Sequence, residues 1–308
     1  LFDDCRSEGY EKVLLLGMGG SSLAPETISL ILGDRLNGME LKILDSTIPE
    51  QIRTIEDWVE FEKTLFIVAS KSGTTTETLS LYQYFWAKSE EALGDKRPLH
   101  FVIVTDPGSN LAKLGQSSGF RAVFTANPNV GGRYSALTHF GLVPAALMGV
   151  NLDDFLNRAI KMAQKCDAQT QLELNLGALL GIIMGLSASN GKDKLTLMTD
   201  PQLKPFGAWL EQLVAESSGK QGRGIVPVAQ EPLVDVKNYG LDRLFVYLRK
   251  SGDHDQFVDA LSDNGHAAIT LEVADLGDLS AQFYLWEVGI AVACGIIGVN
   301  AFNQPDVQ

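Results

Sequence analysis

The chain has 308 residues, of which 45% are apolar and 20% charged, with a formal net charge of −13. That length holds two domains with a full core each, and the balance of apolar to charged residues is that of a soluble globular protein. The acidic surplus excludes nucleic acid and anionic membranes as partners, because both demand basic patches, so a phosphorylated ligand would have to be caught locally by backbone amides and a few placed cations.

Cys5, Cys166 and Cys294 are odd in number and widely spaced. They form no zinc pattern and no disulfide framework, which points to a reducing, cytoplasmic setting. Cys294 lies in the small-residue stretch AVACGIIG and reads as a packing residue. No signal peptide is visible, and the apolar runs are interrupted by Gly, Asn or Gln short of a membrane span. The chain starts at Leu1 and opens directly into the fold, as a fragment would.

In chain order, Val13 to Leu16 is a strand that ends in Gly17-Met18-Gly19-Gly20-Ser21-Ser22, and Ser21 or Ser22 would cap the following helix. The same glycine pattern occurs in nucleotide-binding folds, and Asp45 at the end of the strand Leu41 to Leu44 leaves a nicotinamide reading open on spacing alone. The next strand counts against it. Leu65 to Ala69 is a buried parallel strand that stops at a block of hydroxyls, Ser70-Lys71-Ser72-Gly73-Thr74-Thr75, before a helix predicted over Thr75 to Leu93. A strand end that feeds a helix N-terminus presents free amides and the positive end of the helix dipole, so the block reads as a phosphate cradle. An ordinary N-cap explains one or two of these hydroxyls but not the whole block.

A helix over Glu50 to Glu60 and strands over His100 to Thr105 and Ala122 to Thr125 complete an alternation that predicts a parallel, doubly wound sheet. Asp106-Pro107-Gly108 reads as a structural turn. Gly131 and Gly132 precede Arg133, a sharp bend that could aim a guanidinium at an oxyanion, while His139 reads as a satisfied boundary residue.

A polar helix over Asn151 to Gln169 marks the domain boundary, giving domains 1–152 and 153–308. The second half repeats the strand–helix pattern without an evident sequence repeat: a helix over Thr170 to Ser189, strands at Leu195 to Met198, Ile225 to Val228, Leu244 to Leu248 and Ala267 to Val273, and a last helix from Leu279 to Gly298 that carries Trp286 and Glu287. Glu216 ends the helical run Phe206 to Val214 beside a Gly-containing turn, where a carboxylate can be held in a cleft.

The hydroxyl block resembles the SKxxTTxET signature of the sugar-phosphate isomerases with the SIS (sugar isomerase) fold, and most closely the glucose-6-phosphate isomerase family. GMGGSSLAP from Gly17, VGGRYSALTHFGL from Val130 and AESSGKQGRG from Ala215 follow in that family's order. The C-terminal WE and FNQPDVQ look like the branch that is fused behind a transaldolase in some bacteria. The resemblance implies an α/β protein of two SIS-type doubly wound domains, each a parallel sheet between helices. It also implies an enzyme without a cofactor that acts on a hexose 6-phosphate, usually as a homodimer.

By the same resemblance, Glu216 is the base that moves a proton between adjacent carbons and Arg133 stabilises the enediolate. Gly20, Ser21, Ser70, Lys71, Ser72, Thr75 and Thr78 hold the phosphate, and Lys220 is placed to orient the base. Two departures stand out. The family's ring-opening histidine is absent from Pro232 to Leu248, which leaves His266 as the substitute, and the lysine that the family carries a few residues after this C-terminal stretch is missing or cut off, the sequence given stopping at Gln308 with FNQPDVQ. Two alternatives remain open at this point: a non-catalytic sugar-phosphate-binding SIS module, and a related isomerase acting on another hexose 6-phosphate.

Overall fold

The computed structural model describes residues 1–303, the side chain of Asp34 apart; residues 304–308 of the FNQPDVQ stretch lie outside the described residues. The chain divides into two compact units, Leu1–Leu152 and one that begins at Asp153.

In the first unit, strands β1 (Lys12–Gly17), β2 (Glu40–Leu44), β3 (Thr64–Ala69), β4 (Phe101–Thr105) and β5 (Ala122–Thr125) form a wholly parallel sheet in the order β2-β1-β3-β4-β5. Its helices are α1 (Phe2–Ser7), α2 (Leu23–Leu32), α3 (Pro49–Trp58), α4 (Thr76–Leu93), α5 (Asn110–Ser117) and α6 (His139–Leu147). The central strands are apolar between their ends because both faces are covered. Val13, Leu15, Leu65, Ile67, Val102 and Val104 pack with Phe140 and Leu147 of α6, while Leu14, Leu16, Phe66, Val68, Phe101 and Ile103 pack with Leu81 and Phe85 of α4. Phe66 and Phe101 stack with ring centroids 4.8 Å apart. Truncating either to alanine would cost about 3–5 kcal/mol.

The second unit contains α7 (Leu152–Lys165, one residue of which precedes the division), α8 (Leu176–Ser189), β6 (Lys194–Thr199), α9 (Phe206–Ser218), β7 (Val226–Ala229), β8 (Arg243–Arg249), α10 (Asp255–Asp263), β9 (Ala267–Glu272) and α11 (Leu279–Ile297). Its sheet is also parallel, in the order β7-β6-β8-β9. The expected two-sheet α/β architecture is therefore observed.

Four readings of the sequence are corrected. Helix α8 begins at Leu176 rather than near Thr170, because the Asn175 side chain accepts from the Ala178 amide and ends the preceding turn. Neither Ser21 nor Ser22 caps α2; the Ser22 hydroxyl donates to the Gly19 carbonyl at 3.1 Å instead.

The third correction concerns the last helix. The segment Leu276–Ile297 is by length and composition apolar enough to cross a membrane, contrary to expectation, but 61% of it is buried inside the protein. Its partner is α8, whose Gly177, Gly181 and Gly185 form a stripe at helical spacing. A Cβ on Gly181 would lie 2.5 Å from the Gly289 carbonyl oxygen of α11, so only glycine permits this approach.

The fourth correction concerns the sequence repeat that was not evident. Leu65-Phe66 of β3 precedes Lys71-Ser72-Gly73, and Leu244-Phe245 of β8 precedes Lys250-Ser251-Gly252 at the same spacing. Both strands hold the same place in the sheet, beside the first strand of their unit.

Candidate active site

In the first unit β1 and β3 pair with Gly17 opposite Ala69, so the loops that leave their carboxyl ends are neighbours. After Ala69 the chain turns through the hydroxyl block. The Ser70 and Thr75 hydroxyls lie 2.9 Å apart, and Ser70 Oγ also accepts from the Gly73 amide at 3.2 Å. Ser72 Oγ accepts from the Thr74 amide at 3.2 Å and from the Thr74 hydroxyl at 2.8 Å. Thr75 takes the N-cap position of α4 without a side-chain cap bond, its hydroxyl being turned back to Ser70. The amides of the first helical turn therefore keep their donor capacity at the positive end of an 18-residue helix, which is the geometry of an oxyanion site.

Two members of the expected set are placed differently. Thr78 is fully buried, with its hydroxyl unpartnered among the described residues, so it lies beneath the cradle and offers a ligand no surface. The Lys71 ammonium turns away: Nζ donates to Asp106 Oδ2 at 2.5 Å and to the Pro128 carbonyl at 3.1 Å. The Lys71 carbonyl in turn accepts from the Asp106 amide at 3.1 Å. Lys71 thus braces the cradle against the loops that follow β4 and β5, and Asp106 is the partner that sequence reasoning left as a simple turn.

Gly20 and Ser21 sit on the neighbouring loop. A Cβ on Gly20 would lie 2.3 Å from the Gly132 carbonyl oxygen, so that position excludes every other residue while the two loops touch. Ser135 Oγ ties them further, reaching the Gly132 carbonyl at 2.6 Å and the Gly20 carbonyl at 3.2 Å. Arg133 is carried in this seam, only 3% exposed, with its guanidinium 5.4 Å from the centre of the Tyr134 ring. A guanidinium cannot shed its charge when buried, so this is a positioned cation and not a solvated surface arginine.

In the second unit Glu216 occupies the last turn of α9, half-buried, and its Oε1 accepts from Gln212 Nε2 at 3.0 Å. Helix α9 runs back from the end of β6 to the start of β7. The Ser218 hydroxyl, for instance, meets the Ile225 amide at 2.9 Å just before β7. Glu216 is therefore at the amino edge of its sheet, where the carboxyl-end rule would not have looked. Gln212 was missed, although a polar residue four positions ahead on the same helix face is a readable signal. Its Oε1 is buried and unpartnered among the described residues.

Lys220 is 5% exposed, and two of its three donors go to the carbonyls of Asn300, at 2.5 Å, and Asn303, at 3.2 Å. It staples the segment after α11 to the turn that follows Glu216. His266 is the residue that the resemblance left for ring opening. It is 7% exposed, its Nε2 lies 3.2 Å from the Val236 carbonyl, and its ring stands edge-on to Tyr239 and Phe245. It also precedes β9, which β8 separates from the strands that α9 joins. That is a core histidine. His139 bonds the Thr125 carbonyl through Nδ1 at 2.8 Å. No group of three or more His, Cys, Asp or Glu among the described residues is arranged to hold a metal.

Comparison with known proteins agrees with this geometry. The profile of the family described as phosphoglucose isomerase matches residues 6–227. The glucose-6-phosphate isomerase of Carboxydothermus hydrogenoformans is 34% identical over 98% of this chain and 77% of its own length. Among solved structures, a hypothetical protein from Thermus thermophilus superposes with a TM-score of 0.84 at 25% identity, covering 99% of this chain and 84% of the other. A glucose-6-phosphate isomerase from Chlamydia trachomatis gives a TM-score of 0.78 at 19% identity over 98% and 68% of the respective chains, a likeness of fold. The motifs, the two parallel sheets and the matched span all lead to one conclusion: the chain belongs to the phosphoglucose isomerase family.

Proposed function

We infer that the chain is an aldose–ketose isomerase that interconverts glucose 6-phosphate and fructose 6-phosphate, with Glu216 as its base and Arg133 as the group that meets the enediolate. The observation that carries this reading is that the span matched to the family contains the oxyanion cradle, the buried Arg133 and the hydrogen-bonded Glu216 together. In the open-chain aldose a carboxylate takes the C2 proton, and the electron pair of that bond forms the C1–C2 double bond of an enediolate as the carbonyl oxygen becomes an oxyanion. The base returns the proton to C1 and the hydroxyl proton of O2 passes to O1, so that C2 becomes the ketone and C1 the primary alcohol. A base in hydrogen-bond reach supplies the first step, and a guanidinium on the oxyanion lowers the barrier by about 3 kcal/mol. Binding the distant phosphate in the cradle orients the reacting carbons. With Thr78 beneath the surface, Ser70, Ser72, Thr75 and the backbone of Lys71, bordered by Gly20 and Ser21, are the phosphate ligands we propose. No residue is assigned to ring opening.

The test is solvent exchange in fructose 6-phosphate at equilibrium in deuterated water, read by NMR, which isolates proton abstraction from net turnover. The parent is expected to exchange the C1 hydrogen, and Glu216→Gln to lose about 10²–10⁴-fold while still binding the sugar phosphate. Arg133→Lys is expected to lower kcat about 10²-fold with a smaller change in KM. Exchange in Glu216→Gln at the parent rate would remove Glu216 as the base, and a parent that binds without exchange would favour a non-catalytic binding module. The family resemblance also supports a cytoplasmic homodimer and a transaldolase domain ahead of Leu1; light scattering on the chain reads the dimer directly.

A further inference from the structure

The repeated Lys-Ser-Gly loop of the second unit is wrapped around a side chain of the protein itself. Asp200 follows β6 and is fully buried. Its Oδ2 accepts from the amides of Lys250 at 2.7 Å, Ser251 at 2.5 Å and Gly252 at 2.9 Å, and from the Ser251 hydroxyl at 3.2 Å. Its Oδ1 accepts from the Asp253 amide at 3.1 Å and from the Tyr247 hydroxyl. Successive amides converging on one carboxylate, at the entrance of α10, form a backbone nest for an anion.

The strand registers give the relation to the first unit. Gly17 pairs with Ala69 as Thr199 pairs with Leu248. The residue after Gly17 is Met18 and the residue after Thr199 is Asp200, so the place of Asp200 is held in the first unit by an uncharged side chain. A cavity of about 460 Å³ is lined by the residues on either side of Asp200, Thr199 and Pro201, and by Lys204 and His254 among others, while Asp200 and the loop Lys250–Asp253 lie outside its lining.

We propose that the loop Lys250–Asp253 is a second oxyanion site, built like the cradle and kept occupied by the carboxylate of Asp200, so that only the first unit is open to a phosphate. The inference rests on this loop's own hydrogen bonds and stands whether or not the first cradle holds the substrate. The ligand class is a small tetrahedral or planar oxyanion, phosphate or carboxylate, that replaces the side chain.

The test removes the internal ligand and offers an external one. Asp200→Ala is made in a Ser72→Ala/Thr75→Ala background so that the first cradle is weakened and its residual response is read from the background alone, and thermal unfolding and calorimetry are followed with inorganic phosphate and with formate. Asp200→Ala is expected to melt several degrees lower than its background, to regain about 5 °C in saturating phosphate or formate, and to bind one more phosphate than the background. Asp200→Asn, which still fills the site, is expected to show no such recovery. If Asp200→Ala folds only when an oxyanion is supplied, the proposal is equally supported. A phosphate response no larger in Asp200→Ala than in the background, an equal response in Asp200→Asn, or an Asp200→Ala that no oxyanion restores would overturn it.

Discussion

The loop after β3 and the loop after β8 share a strand position, a Lys-Ser-Gly sequence and a helix that starts just beyond, yet at the register position where the second has Asp200 the first has Met18. In the second unit the amides close on a carboxylate attached to the neighbouring strand, so the ligand is present at all times and is already oriented. In the first, hydroxyls of Ser70, Ser72 and Thr75 surround the amides and no side-chain carboxylate caps α4. The anion affinity is a property of the loop backbone in both places. On the proposal above, which of the two serves an external ligand is decided by the one residue that follows the adjacent strand.

The largest effect should come from transplanting that residue. Met18→Asp is expected to lower the affinity for inorganic phosphate and for sugar 6-phosphates by about 100-fold or more, since a carboxylate near the cradle competes for its donors and repels the incoming anion. Circular dichroism would establish that the variant is folded and calorimetry would give the affinity. Unchanged affinity would mean that the two loops are alike in sequence only.

The reciprocal change, Asp200→Asn, should cost about 2 kcal/mol of stability, the range for hydrogen bonds to a charged acceptor. Its pH dependence is the sharper observable. Burial alone would raise the Asp200 carboxyl, yet donation from the Tyr247 hydroxyl and the amides of Ser251, Gly252 and Lys250 holds it well below the ordinary carboxylate range. A folded-state value below the unfolded one means that the stabilisation is complete above about pH 4 and declines as the pH falls from there towards the depressed value. Urea titrations should thus show a constant gap between parent and Asp200→Asn from neutral to mildly acid pH that closes only in strong acid. A gap that widens as pH falls would contradict the assignment.

The hydroxyl turn after β3 and most strands were legible in the sequence because apolar runs that stop at hydroxyls or glycines carry their own boundary. The second copy was hidden, since the residues after its glycine are Asp253 and His254 where the first has Thr74 and Thr75. Asp200-Pro201 reads locally as a turn, and only the fold brings Lys250 to Asp253 onto it. Glu216 could be proposed through its motif alone, because the helix returns it to the sheet edge opposite the one that ligand rules favour. The surroundings of His266 were illegible for a related reason: neighbouring Gly265 suggests an exposed edge, but the ring is drawn into the cluster of Tyr239 and Phe245.

A smaller effect is expected from thinning the hydroxyls. Ser72→Ala with Thr75→Ala removes side-chain ligands and leaves the amides, so phosphate affinity should fall about tenfold with folding intact. A loss as large as that of Met18→Asp would shift the weight of binding from backbone to hydroxyls and weaken the parallel with the second loop, which has a single hydroxyl, that of Ser251, in the corresponding stretch.

The smallest effect tests whether the lysine common to both loops is a ligand. Lys71 donates to Asp106 and to the Pro128 carbonyl, and its side chain is 29% exposed against 19% for Asp106, so the pair is partly shielded. Removing the lysine alone would leave Asp106 as an unpaired negative charge near the cradle and weaken phosphate binding for a reason unrelated to ligation. Lys71→Met combined with Asp106→Asn removes both charges at once. If the lysine is a brace, the double variant should bind phosphate within about threefold of the parent and lose about 1 kcal/mol of stability, the scale of a partly exposed ion pair. If the ammonium is itself a phosphate ligand, affinity should fall about tenfold or more even with Asp106 neutralised, as for any lost charge-assisted hydrogen bond. Calorimetry on parent, single and double variants separates the two, because only a ligand's loss survives in the neutral pair.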